Sequence, residues 1–170
     1  MTAPNDERHQ DSDDRQIAIY SLLDQDTKHL EKLEHDLRAA DDISDKPITR
    51  LATSANFANK TLLDIYNHHI ATRDQDTMFH PLYFIVADQQ HWKKKGVLFV
   101  NLHASTEDHK SFIGVCRCDL EIATQIRANL SIANMDWLDY KEMEQDEFGG
   151  EDPYENKRYY DSNPAERNAS

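Results

Sequence analysis

A chain of 170 residues with 30% charged residues and a formal net charge of −13 is long enough for one domain with a true hydrophobic core and too short for two ordinary ones. That acid excess repels phosphate backbones and anionic lipid, so neither a nucleic acid nor a membrane is an expected partner. The one basic run, Lys93-Lys94-Lys95 beside Gly96, reads as a solvated turn.

The acid gathers at the ends. Residues 1–14 hold five acids against Arg8, and residues 141–170 hold nine acids against four bases. This asymmetry predicts a disordered acidic tail over 1–14, an α/β domain over 15–145 and a second disordered acidic tail over 146–170. The start of the chain has neither a basic nor an apolar stretch, so no secretory signal is expected and the expected location is the cytoplasm, with the nucleus as the other option.

In chain order, Ile17 and Ile19 alternate with small or polar neighbours and predict a short first strand. Asp26 can cap a helix whose Leu30, Leu33 and Leu37 share a face, with Lys32–Asp36 and Glu34–Arg38 as i,i+4 pairs outside. Residues 47–52 predict a second strand, with Pro47 at its start where no ladder amide is needed. Leu62, Ile65, Tyr66 and His69 recur at helical spacing and predict a helix over 59–71. Residues 82–87 and 97–102 are apolar without alternation, as strands buried on both faces are, and 88–95 between them leaves room for a loop or one helical turn. Neither run is long enough to span a bilayer. Residues 112–118 predict a fifth strand. Asp119 can cap a helix through Ala128, residues 130–133 read as a connector, and Asn134 can cap a last helix bearing Trp137, Leu138, Tyr140 and Met143.

Catalytic motifs are missing. The domain offers only Gly96 and Gly114, neither in a phosphate-cradling or nucleophile-elbow pattern. Histidines such as the His29/His35 and His68/His69 pairs lack metal-ligand spacing, and an assembly of His91, His103 and His109 with Cys116 is less economical than scattered polar histidines. Cys116 and Cys118, the only two cysteines, point to one face of a strand and are expected as reduced thiols. Carboxylate pairs Asp24/Asp26 and Asp74/Asp76 read as caps and turns. No catalytic residue, metal site or cofactor is therefore expected.

The most distinctive stretch is Asn129-Leu130-Ser131-Ile132-Ala133-Asn134-Met135-Asp136-Trp137, with cap-type polar residues and apolar anchors in a short span. It resembles the C-terminal signature of a family of small uncharacterised proteins, a domain of unknown function found mostly in actinobacteria, that reads NLSIANMD followed by Phe or Trp. The resemblance continues upstream through residues 57–66, the strand ending Val86-Ala87-Asp88, the apolar 97–102 and the strand at 112–119. It implies a shared fold and leaves function open.

The sequence thus reads as an α/β domain with a mixed sheet of about five strands flanked by about four helices. Its leading functional reading is a non-catalytic module that engages a protein partner, possibly a basic one, as an adaptor, inhibitor or immunity-like protein does. Asn129, Ser131, Asn134, Asp136 and Trp137 are the candidate binding residues. The alternative is a small enzyme or small-molecule binder with a pocket at 129–136 completed by His103 or Cys116.

Overall fold

The computed structural model describes residues 14–41, 46–105 and 111–149, so most of both predicted tails lies outside the described residues. Five strands form one mixed sheet in the order β2-β1-β3-β4-β5. The elements run β1 (Gln16–Ser21), α1 (Thr27–Ala40), β2 (Thr49–Asn56), α2 (Leu62–Thr72), β3 (Phe79–Ala87), α3 (Trp92–Lys95), β4 (Val97–Ser105), β5 (Ser111–Cys118), α4 (Leu120–Ser131) and α5 (Trp137–Phe148). β1 is parallel to both β2 and β3, whereas β3–β4 and β4–β5 are antiparallel.

Period-2 alternation on β1 feeds both sides of the sheet. Ala18 and Tyr20 join Leu62, Ile65 and Tyr66 of α2 on one side. Ile17 and Ile19 join Leu33 and Leu37 of α1, Ala123 and Ile126 of α4, and Trp137 and Tyr140 of α5 on the other. β3 and β4 are covered on both faces, which is why their sequences are continuously apolar. Pro81 lies inside β3, where the pairing with β1 shifts register between Phe79 and Phe84, so its missing N–H interrupts no regular ladder.

Local rules set several ends. Asp26 and Asp119 accept from His29 N and Ile122 N as the caps of α1 and α4. Thr61 and Asp64 form a reciprocal capping box that starts α2 at Leu62, later than the expected 59. Two readings of the C-terminal part require correction. α4 runs on through Ser131, so Asn129 and Ser131 are helical rather than in a connector, and Asp136, not Asn134, caps α5 in a capping box with Asp139. The last helix also reaches Phe148, where Gly149 ends it at φ +79°.

The outer edge of β5 is closed by side chains. Glu144 of α5 accepts from the Arg117 backbone N–H at 2.6 Å, and Lys141, paired with Glu144, donates to the Val115 carbonyl at 3.1 Å. α5 thereby supplies a donor and an acceptor to an edge that would otherwise present bare backbone groups. Trp137 lies directly on Gly114: a Cβ there would sit 2.4 Å from the indole, so only glycine admits this contact.

A buried polar chain crosses the α2 side. The Tyr20 hydroxyl lies 3.0 Å from His69 Nδ1, and His69 Nε2 lies 3.1 Å from the His80 carbonyl. A carbonyl only accepts, so Nε2 carries the proton and Nδ1 accepts from Tyr20. Burial pushes the His69 pKa down to about 4, and the ring is neutral at physiological pH.

Candidate functional site

In a sheet of this order the chain leaves β1 toward one face through α1 and leaves β2 toward the other through α2. The carboxyl ends of β1 and β3 are paired at Ser21 and Ala87, and the segments that follow both lead to the α1 face, where Trp92 shares a core cluster with Leu33 and Leu37. Ligands of open α/β sheets commonly bind outside the carboxyl ends of the strands. A cleft of about 780 Å³ lies there. One wall is Asp24, Gln25 and Asp26 of the β1–α1 loop with His29, Lys32 and Asp36 of α1, and the other is residues 90–94.

Asp36 ties the walls together. Its carboxylate accepts from the Trp92 indole N–H at 3.1 Å and pairs with Lys93 at 2.9 Å, although Asp36 is only 7% exposed. Burial alone would raise its pKa, but the bonds from Lys93 and Trp92, with the nearby charge of Lys32, outweigh burial and hold it below the usual carboxylate range. Asp26 is likewise committed, accepting from the His29 backbone at 3.0 Å and ring at 2.7 Å. The His29 bonds keep the Asp26 carboxyl below its ordinary range.

The second wall is braced from behind. Asp88, the residue after β3, takes a bidentate pair from Arg117 of β5 at 2.6 and 3.0 Å, and both side chains are buried. Gly96 turns the chain at φ +72°, so close to the Cys118 carbonyl that a Cβ would approach it to 2.5 Å. Between these anchors His91 adopts a left-handed backbone at φ +63°, uncommon for a residue with a side chain. The side chains of Lys94 and Asp24 have no hydrogen bond or ion pair among the described residues, and the buried Gln25 Oε1 has no partner.

The residues singled out from sequence lie elsewhere, at the α4–α5 corner. Ala133 is left-handed at φ +52°, Asn134 N bonds Asn129 O, and Ala133 N bonds Leu130 O. These are the two bonds of a Schellman helix end, with alanine where glycine is usual. The Asn134 amide donates to Asn129 Oδ1 at 3.2 Å, and the Ser131 hydroxyl donates to the Ala128 carbonyl at 2.8 Å. Asp136 caps α5, and Trp137 is buried on Gly114. The motif is a helix stop followed at once by a helix start. It leaves Ile132 71% and Leu138 41% exposed. Cys116 is in the core, its thiol directed at the Tyr140 carbonyl at 3.4 Å, and the His103 N–H donates to Asn101 at 2.9 Å on β4. Both cysteines are free and buried, and burial pushes the Cys118 thiol well above its ordinary pKa.

The cleft joins residues that the sequence presents only as separate features: the Asp24/Asp26 pair, the Lys32–Asp36 pair and the run Lys93 to Lys95. The usable signal was charge clustered just after the first and third predicted strands, which acquires meaning only with the strand order. Among the described residues no group of three or more His, Cys, Asp or Glu side chains could hold a metal ion, and no helix is long and apolar enough to cross a membrane.

Comparison with curated proteins and with solved structures returns no match. A family model does match, over residues 22–150, which include both the cleft and the α4–α5 corner. The chain belongs to that family, a domain of unknown function designated DUF6924.

Proposed function

We propose that the protein is a non-catalytic binding domain that receives a small polar ligand in the cleft at the carboxyl ends of β1 and β3. The observation that carries this reading is the cleft itself: about 780 Å³, within the range of small-molecule sites, outside the carboxyl ends of β1 and β3 and lined on both walls by polar side chains held from behind. A reducing, cytoplasmic setting accords with two free thiols. The test is a metabolite panel read by thermal shift and mapped by amide NMR. A stabilising compound should move resonances of residues 24–36 and 90–94. A compound that stabilises while moving only residues elsewhere would refute the assignment.

A second reading has its own observation. The α4–α5 corner exposes Ile132 and Leu138 beside Asp136 and Asp139, an apolar knob with an acidic rim suited to a basic protein partner. Capture of a protein from native lysate should then be salt-sensitive and lost with Ile132→Asp. Capture that survives both changes would rule this corner out as the interface.

A further inference from the structure

Independently of the cleft, we propose that residues 150–156 dock across the α2 side of β4 and β5, with Tyr154 as the anchor. The warrant is a strip of buried side chains that the described elements leave without a cover. Alternation turns Leu98, Val100 and Leu102 of β4 and Ile113 and Val115 of β5 toward the α2 side. In the single chain all five are between 0% and 7% exposed.

α2 does not extend that far. It joins β2 to β3 in a sheet ordered β2-β1-β3-β4-β5, so it crosses over β1. With strands about 4.8 Å apart, β4 and β5 lie roughly 10 and 14 Å to the side of that crossing, whereas a helix with its side chains covers only about 5–6 Å either way. From the other described helices this cluster holds Leu30 of α1 alone, and α1 packs on β2 at the opposite edge. The Arg117 side chain, paired with Asp88, closes the strip at the end where Leu98 faces it across the strands. An edge strand bare on this side would expose Ile113 and Val115, and both are buried.

Continuity of the chain selects the occupant. α5 runs along the outer edge of β5, from Trp137 on Gly114 to Glu144 on the Arg117 amide, and its last residue, Phe148, lies against Gly96 just before β4. The chain therefore leaves α5 at the Leu98–Arg117 end of the strip, where Gly149, left-handed at φ +79°, turns it. The strip from Leu98 to Leu102 is about 14 Å long, and residues 150–154 fully extended span about 17 Å. Tyr154 is thus the first aromatic residue after Gly149 and is within reach of Val100 and Val115, which face each other across the strands. Pro153 before it favours an extended backbone there. A tyrosine suits such a site because its ring packs while its hydroxyl stays at the wet rim. Residues 106–110 are spent on joining β4 to β5, and residues 1–13 contain no Phe, Tyr or Trp.

The full 170-residue chain, with isotope-labelled methyl groups, provides the test by NMR and thermal unfolding. Nuclear Overhauser contacts are expected from the Tyr154 ring to the methyls of Val100, Ile113 and Val115. Tyr154→Ala should lower Tm by about 5 °C, whereas Tyr154→Phe keeps the ring and should stay within about 2 °C of the parent. Tyr159→Ala and Tyr160→Ala, beyond the far end of the strip, should also stay within about 2 °C. A sample mixing labelled and unlabelled chains separates contacts within one chain from contacts between two copies. The proposal is overturned if Tyr154 makes no contact with these methyls, if it reaches them only from a second copy, or if residues 1–13 supply the contacts instead. An unchanged Tm in Tyr154→Ala overturns it as well.

Discussion

Replacing Gly114 with alanine tests whether Trp137 is a packing anchor or a binding residue. The added Cβ would lie 2.4 and 2.5 Å from two indole carbons and 2.7 Å from the Ala104 Cβ, far inside van der Waals contact. The strand backbone cannot retreat because β5 is paired with β4 at Asn101↔Gly114, so the indole must move by about an ångström. Overpacking of this kind costs about 1–3 kcal/mol. Displacing Trp137 also lifts the first turn of α5, which aligns Lys141 and Glu144 on the Val115 carbonyl and the Arg117 amide. The expected loss is therefore about 3 kcal/mol, at the upper end, or roughly 6–12 °C in Tm for a domain of this size. Denaturant unfolding followed by far-UV circular dichroism measures it. The decisive control is Trp137→Leu, destabilising alone by about 3 kcal/mol through the cavity it opens. Combined with Gly114→Ala it should cost less than the sum by about 1–2 kcal/mol, because the smaller side chain makes room for the methyl. Additive effects, or a Gly114→Ala protein within about 0.5 kcal/mol of the parent, would show that the contact is not what holds α5 on the sheet.

His69, neutral with a pKa near 4 when folded and 6.5 ordinarily, binds more protons unfolded than folded between those values. Its contribution is fully present above pH 6.5 and is lost as pH falls toward 4, up to about 3 kcal/mol, so urea midpoints measured against pH should flatten across that window in His69→Gln. A window unchanged by the substitution would place the titration elsewhere. Ala133→Gly should stabilise the protein by about 1 kcal/mol by relieving a left-handed alanine, as read by thermal unfolding, and a loss of stability would contradict the Schellman description. Asp36→Ala should destabilise by about 2–3 kcal/mol by stranding the buried Trp92 indole N–H. Faster hydrogen exchange at residues 90–96 is expected with it, and unchanged exchange there would mean that Asp36 does not hold the second wall.

The local grammar of the chain was legible where the physics is local. Apolar runs at 82–87 and 97–102 marked β3 and β4 because a strand covered on both faces has no polar period to hide. Asp26 and Asp119 announced helix starts because a cap acts within three residues. The same grammar misplaced the last cap. Asn134 and Asp136 both qualify by type, and Asp136 takes the role because Asp139 stands three residues on to return the bond, while Asn134 is engaged closing α4.

By itself, then, the sequence determined an alternating α/β domain, its apolar interior, most of its helix starts and its acid excess, all of which follow from composition and short-range spacing. Only the tertiary structure decided which strands are neighbours, and with that the cleft, the Asp88–Arg117 brace and the contact of Trp137 with Gly114. Each of these joins residues more than twenty positions apart, and such pairings depend on sheet order and register, which no local period encodes.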